Sequence, residues 1–215
     1  MKVARPFALL SALILATAPA SAQNLVTNPG FDGDLSGWST AAATFDGTLD
    51  DTGTAGSGSA RHMFINAGPG SVTSLALSQC IPVTAGTDYT FGGKVFIASG
   101  QAVPVTGFVT VTFMSSIDCT LGGLDSAVLS TGLTDGWIPL SSGPVTASPG
   151  AIRAWITGQN AAGAAGTSAV NWDDFFLMEA TGVPALPSAA TTALLAALLA
   201  AAGWFALRRT TSGAA

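Results

Sequence analysis

The strongest clue to the fold is the stretch Asn24-Leu25-Val26-Thr27-Asn28-Pro29-Gly30-Phe31-Asp32-Gly33-Asp34-Leu35-Ser36-Gly37-Trp38. A short apolar run is interrupted at Asn28-Pro29-Gly30, where each residue type favours a turn for its own physical reason, and the chain resumes at Phe31. An acidic loop follows and ends at Gly37-Trp38. We expect the mature chain to begin with this stretch.

The segment that follows it carries short alternating runs separated by Gly, Pro and Asp, and it shows no long helical periodicity. In residues 108–115, for example, Val109, Val111 and Phe113 fall on one side of an extended chain and Thr110 on the other. Alternation of this kind, repeated between turn residues, predicts an all-β sandwich whose apolar sets point into the core.

The opening stretch resembles the start of carbohydrate-binding modules of the family 4/9/22 type, in its Asn-Leu-Val-x-Asn-Pro-Gly-Phe-Asp run and the following Gly-Trp. Trp172-Asp173-Asp174-Phe175 resembles the end of their last strand, and Pro82-Val83-x-x-Gly86-x-x-Tyr89 resembles their middle. The resemblance covers residues 24–177. It implies a jelly-roll β-sandwich, assigned here to residues 23–180, whose two ends meet, often around a structural calcium ion.

The resemblance also implies which acids would hold that ion. It places the acid after Gly-Phe, here Asp32, and the acid after the hydrophobic residue of the last motif, here Asp173, at a calcium site, with Asp34 and Asp174 as alternates. Calcium binds hard oxygen ligands such as carboxylates. The alternative is that these Asp side chains only cap turns.

Two aromatic residues lie beside basic ones on the polar sides of their strands, Trp155 with Arg153 and Phe96 with Lys94. Aromatic faces pack against sugar rings, and polar groups bind sugar hydroxyls. We therefore predict carbohydrate binding by these four residues. The alternative is that both aromatic rings pack under a loop such as residues 158–168.

The sequence predicts a targeting segment at each end of the chain. Residues 1–22 have a basic start, an apolar run and a small-residue site, which predicts a cleaved signal peptide. Residues 188–207 are uncharged and long enough for one transmembrane helix, and the basic tail 208–215 is expected in the cytoplasm. Residues 181–187 form a linker.

The linker, the apolar helix and the basic pair together resemble C-terminal sorting signals of the PEP-CTERM and IPTL-CTERM type. The residues that carry the resemblance are Val183, Pro184, Leu186, Pro187, Arg208 and Arg209. It implies recognition by a membrane-embedded sorting peptidase and delivery to the cell surface or extracellular matrix. A plain single-span anchor is the alternative.

Export permits a disulfide between the two cysteines, Cys80 and Cys119, and we predict one. Both lie in strand-like contexts. The bridge would close a loop of about 39 residues and stabilise the fold by roughly 3–4 kcal/mol. Two free thiols are the alternative, because the spacing suits no metal motif.

Charge and motif content limit the function. Residues 23–180 hold three basic residues against all twelve acidic ones, so this segment repels nucleic acid. The chain has one histidine, His62, and one glutamate, Glu179, without a Gly-x-Ser-x-Gly or His-Glu-x-x-His motif. We therefore predict no enzymatic activity and no catalytic residues.

These observations together predict a non-catalytic, exported surface protein that binds extracellular polysaccharide through its jelly-roll domain. One alternative is a structural cell-surface or biofilm-matrix protein of the same fold without sugar affinity. A second alternative is a small secreted glycan hydrolase.

Overall fold

The computed structural model describes residues 22–180, which form two antiparallel β-sheets packed face to face. The predicted all-β sandwich is therefore confirmed. All regular elements between residues 22 and 180 are strands, and that range offers no helix able to cross a membrane. The strands are β1 (Ser39–Thr40), β2 (Thr44–Asp46), β3 (Ser59–Asn66), β4 (Val72–Pro82), β5 (Asp88–Phe96), β6 (Val105–Met114), β7 (Gly123–Thr131), β8 (Trp137–Ser141), β9 (Val145–Thr146), β10 (Arg153–Ala162) and β11 (Gly166–Glu179).

Most neighbouring strands in the two sheets are not consecutive in the chain. Sheet A has five strands in the order β1-β4-β10-β6-β7. Sheet B has the order β2-β3-β11-β5-β8, and β9 also pairs with β5. The late strands β10 and β11 therefore lie in the middle of their sheets, so neither sheet is complete until the end of the domain is in place.

The core forms between the inward faces of the two sheets. Val109, Val111 and Phe113 of β6 are fully buried, as their alternation predicted, and Ile156 of β10 is buried beside them in the same sheet. Trp172 of β11 is also fully buried, and its indole Nε1 donates to the carbonyl of Phe108 at 3.0 Å. Burial of its ring therefore leaves no polar atom unpaired.

The two ends of the domain meet at the opening stretch. The amide of Leu25 donates to the carbonyl of Leu177 at 2.8 Å, and the amide of Phe175 donates to the carbonyl of Pro29 at 3.0 Å. Phe31 is fully buried, with its ring centroid 5.5 Å from that of Trp38 and 6.1 Å from that of Phe175. The Asn28-Pro29-Gly30 turn thus places an aromatic residue against the last strand.

Strand β10 is longer than the sequence indicates. The alternation predicts a strand ending at residue 157 and a loop from residue 158, but β10 continues to Ala162. Asn160 is fully buried there, and its side-chain oxygen lies 2.7 Å from Nδ1 of His62 on β3. Asn160 is therefore paired between the two sheets and remains in the strand.

The predicted disulfide between Cys80 and Cys119 is present. Cys80 lies on β4, as expected. Cys119 lies in the loop between β6 and β7 with a φ of 57°, so its assignment to a strand-like context was wrong.

Several expectations fall on residues that the structure does not describe. These are the signal peptide, apart from Ala22, and the linker 181–187, the transmembrane helix 188–207 and the tail 208–215.

Candidate functional site

Trp155 lies on the outer face of sheet A. Its neighbours Ala154 and Ile156 are fully buried in the core, so the alternation of β10 turns the indole outward, where it is partly exposed. The strand register places Cys80 of β4 opposite Trp155 on one side and Thr112 of β6 on the other. The indole thus has a disulfide sulfur on one flank and a hydroxyl on the other.

An open groove of about 550 Å³ adjoins the indole, within the range of about 300–1,000 Å³ that is typical of ligand pockets. Its lining includes Trp155, Ser78, Cys80, Asp118 and Thr120. Gly37 and Ser39, the first residue of the edge strand β1, also line it. An aromatic face, three hydroxyls and a carboxylate therefore converge on one cavity.

One wall of the groove is the loop of residues 115–122, called here the strap. The strap leaves β6 and is tied by the disulfide to Cys80 on β4, and β10 lies between these two strands. Nε of Arg153 on β10 donates to the carbonyl of Ile117 at 3.0 Å. The strap therefore crosses β10 over the outer face of sheet A.

The base of the strap closes through a tight backbone contact. The amide of Ser115 donates to the carbonyl of Gly122 at 3.0 Å. Gly122 has a φ of 77°, and a Cβ at this position would lie 2.2 Å from Oγ of Ser115. A residue with a side chain would be strained by this backbone conformation and would force Oγ of Ser115 to move.

Asp118 brings an oriented carboxylate to the groove. Its Oδ1 accepts hydrogen bonds from Oγ1 of Thr120 at 2.9 Å and from the amide of Thr120 at 3.2 Å. These bonds, from the side chain first and the backbone second, hold the pKa of Asp118 below its ordinary value. Because the residue is exposed, the carboxylate is ionised at neutral pH and can accept hydrogen bonds from a ligand.

The four residues predicted to bind carbohydrate do not form one site. Trp155 and Arg153 lie on the outer face of sheet A, whereas Phe96 and Lys94 lie on strand β5 of sheet B. The ring of Phe96 packs 5.6 Å from that of Trp137 on β8. Residues 158–162 do not cover Trp155, because they belong to the same strand.

Most of the groove lining was missed by sequence reasoning, including the residues that supply its hydroxyls and its carboxylate. Ser78, Asp118 and Thr120 are small polar residues in a chain rich in them, so their types carried no signal. The predicted disulfide could have placed residues 118–120 near Cys80. The position of Cys80 opposite Trp155 is set by the register of β4 with β10, which the sequence did not show.

A second feature is a cluster of carboxylates, here the acidic cluster, formed by Asp50, Asp51 and Asp173. One carboxylate oxygen from each lies within 4.8 Å of the others. Asp173 is fully buried on β11, and its Oδ2 accepts a hydrogen bond from the amide of Asp51 at 3.2 Å. Burial raises the pKa of Asp173 to about 8. Near neutral pH this carboxyl therefore retains a proton when no metal ion is bound to the cluster.

Lys94 supplies one positive charge beside the acidic cluster. Its Nζ donates hydrogen bonds to Asp174 at 2.8 Å and to Asp51. Both bonds raise the pKa of Lys94, and the bond to Asp174 has the larger effect. The side chain of Asp51 is only 6% exposed, and its other oxygen, Oδ1, has no hydrogen-bond partner. Buried polar atoms are normally paired, so this oxygen and its two neighbouring carboxylates fit a hard cation such as Ca²⁺.

The structure brings Asp173 together with Asp50 and Asp51 and not with Asp32. The side chain of Asp32 is exposed, and its backbone amide donates to Oδ1 of Asn28 at 2.9 Å. Asp34 accepts from the amide of Ser36 at 2.8 Å, which is the turn-capping role considered above. Asp174 pairs with Lys94.

No family model and no curated protein matches the chain. Among solved structures, the chain is similar to the carbohydrate-binding module TmCBM61 in complex with β-1,4-galactotriose, with 20% identity and a TM-score of 0.50 over 73% of this chain and 99% of that one. It is also similar to the enzymatically active domain of tailspike protein 4 of bacteriophage CBA120, with 15% identity and a TM-score of 0.52 over 72% of this chain and 21% of that one.

A third similar structure is the arabinose-bound α-L-arabinofuranosidase MgGH51, with 16% identity and a TM-score of 0.52 over 74% of this chain and 27% of that one. The structural neighbours thus include carbohydrate-binding modules and portions of enzyme chains. At these identities the similarity establishes the β-sandwich fold.

Proposed function

We propose that this protein is a non-catalytic, exported surface protein that binds extracellular polysaccharide in the groove beside Trp155. The observation that carries the proposal is the convergence of the partly exposed indole with the Asp118 carboxylate and the Ser78 and Thr120 hydroxyls on one open cavity. A sugar ring offers an apolar face to an aromatic side chain and hydroxyls to polar groups at its edge. The groove provides both kinds of partner.

The placement of the titratable groups favours binding over hydrolysis. Glycoside hydrolysis uses two carboxyl groups that flank the scissile bond. In the acidic cluster Asp173 is fully buried, and Asp51 is paired with Lys94. His62, the one histidine of the chain, is 2% exposed and paired with Asn160. These groups are occupied inside the fold and do not face the groove.

A glycan array probed with the purified, oxidised protein tests the proposal, with isothermal titration on the strongest glycans. β-1,4-Galactan and its trimer are included because the structural neighbour TmCBM61 was solved with β-1,4-galactotriose. We expect binding to at least one polysaccharide. A protein that binds none of the arrayed glycans would overturn the proposal and favour a structural surface or matrix role for the same fold.

The acidic cluster supports a structural role for calcium within the same proposal. Asp50 and Asp51 belong to the loop of residues 47–58, and Asp173 belongs to β11. A bound Ca²⁺ would add to the single positive charge that Lys94 supplies beside these three carboxylates. The loop also contacts the opening turn, where Oγ of Ser57 donates to the carbonyl of Gly30 at 2.9 Å. A cation here would therefore join the loop, the last strand and the start of the domain.

The targeting part of the proposal rests on the sequence. A signal peptide at residues 1–22 would export the chain, and the linker and apolar segment would present it to a membrane-embedded sorting peptidase. Export by a signal peptide and delivery to the cell surface are both consistent with the Cys80–Cys119 disulfide, because disulfides persist in exported proteins.

A further inference from the structure

The strap blocks the face of sheet A beside the indole. It crosses β10 and is joined through Cys119 to Cys80, the residue directly opposite Trp155. Asp118 and Thr120 of the strap line the groove together with the indole. A polymer stacked on Trp155 therefore meets the strap and cannot continue past the ring in that direction.

We propose that the strap makes the groove specific for the end of a glycan chain, with Asp118 binding a hydroxyl of the terminal sugar. This inference rests on the proposed function of the groove. A linear polymer could lie across an open sheet face, so such a face accepts the interior of a chain. A wall beside the stacking residue admits only a sugar without a further neighbour on that side.

The chemistry of a chain end suits the wall. The terminal sugar carries a free hydroxyl where an interior sugar carries a glycosidic bond. The Asp118 carboxylate is ionised and exposed, and Thr120 orients it through two hydrogen bonds. A hydrogen bond from a hydroxyl to a charged acceptor contributes more than one between neutral groups. The strap therefore both stops the chain and binds the group that marks its end.

Arg153 has a positioning role in this arrangement. It does not line the groove, and its Nε donates to the Ile117 carbonyl of the strap at 3.0 Å. The disulfide and the contact between Ser115 and Gly122 hold the strap at two further points. The orientation of Asp118 thus depends on these anchors, of which Arg153 and the contact between Ser115 and Gly122 lie outside the groove.

The test counts binding sites per chain end. β-1,4-Galactan, with β-1,4-xylan as a second probe, is hydrolysed to several mean chain lengths and titrated at constant mass against the oxidised protein. We expect the moles bound to follow the moles of chain ends. Borohydride reduction of the same samples tells the two ends apart, because it alters only the reducing end.

Variants of the strap separate its two roles. Asp118→Asn is expected to weaken binding by about tenfold, as for a lost hydrogen bond to a charged group. Leu121→Ser, which changes an exposed strap residue outside the groove, is the matched control and should bind as the wild type does.

Opening the strap should change the selectivity. The variants are the double variant Cys80→Ser/Cys119→Ser, and Arg153→Met with the disulfide intact. In both, we expect the moles bound to increase and to depend on the mass of polymer instead of on the number of chain ends. A melting transition shows that each variant is folded.

Binding by the wild type in proportion to polymer mass at every chain length would overturn this inference and leave the proposed function intact. If the wild type bound neither these two polymers nor any other glycan on the array, both the proposed function and this inference would be overturned.

Discussion

Trp155 on β10 lies directly opposite Cys80 on β4, so the indole that floors the groove stands beside the disulfide that anchors the strap. One strand register therefore determines both the position of the aromatic ring and the position of the wall next to it. Changes to the ring and changes to the disulfide should have separable effects, since only the disulfide crosslinks distant parts of the chain.

Trp155→Ala should weaken binding of the best arrayed glycan by at least about 2 kcal/mol, roughly thirtyfold, because it removes the stacking surface. Isothermal titration measures the loss. The control is Trp137→Ala on sheet B, also partly exposed, which should leave affinity unchanged. Equal losses in the two variants would contradict the placement of the site on sheet A.

The double variant Cys80→Ser/Cys119→Ser should be less stable than the wild type by roughly 3–4 kcal/mol, because the crosslink restricts the unfolded chain across a sequence separation of 39 residues. Denaturant unfolding with and without reductant measures the difference. Reductant should destabilise the wild type and leave the double variant unchanged. A wild type whose stability ignores reductant would indicate that the bridge is not formed in the purified protein.

Calcium should stabilise the protein through the acidic cluster. At a free concentration one hundred times the dissociation constant, a ligand of the folded state contributes about 2.7 kcal/mol, which raises the melting temperature by about 5–10 °C. Asp51→Asn and Asp173→Asn should abolish the difference between excess calcium and excess chelator. Asp32→Asn should retain it, because that side chain is exposed and outside the cluster.

Identical melting curves of the wild type in calcium and in chelator would rule out the calcium site. Loss of the response in Asp32→Asn would instead favour the ligand set that the sequence resemblance implies.

His62 should make the fold less stable in mild acid. Burial lowers its pKa from the ordinary value of 6.5, against a smaller opposing effect of the hydrogen bond with Asn160, so the folded state keeps the ring neutral. The unfolded chain takes up a proton as the pH falls through 6.5, and the free energy of unfolding decreases from there toward the lower folded pKa. Melting temperatures between pH 5 and 8 measure this slope.

His62→Gln keeps a side chain that can bond Asn160 and removes the titration. Its melting temperature should vary less over the same pH range. Parallel curves for variant and wild type would show that other groups cause the acid sensitivity.

The C-terminal region should be removed from the mature protein if it is a sorting signal. The intact mass of protein isolated from its native cells would then lack residues 188–215. A mass that still includes them would favour a plain membrane anchor.

Local patterns were sufficient for the fold class and much of the core. Alternation placed Val109, Val111 and Phe113 in the core, because side chains of a strand point to opposite faces whatever its neighbours are. The Asn28-Pro29-Gly30 turn could also be predicted from local sequence, because these residue types favour a turn through their own covalent structure. Export and the count of two cysteines predicted the disulfide.

Tertiary structure alone decided how these pieces combine into sites. Alternation showed that Lys94 and Phe96 share one side of their strand and Arg153 and Trp155 one side of theirs. It could not show that β5 and β10 belong to different sheets, because strand pairing joins residues far apart in the chain.

The members of the acidic cluster could not be predicted either, because Asp50 and Asp51 lie in a loop that has no periodic pattern. The fold brings this loop to Asp173 and leaves the side chain of Asp32 in solvent. The strap likewise acquired its place beside Trp155 only through the register of β4 with β10. Sequence periodicity determines which way a side chain points relative to its own strand. Which residues it meets depends on long-range packing of the whole sandwich.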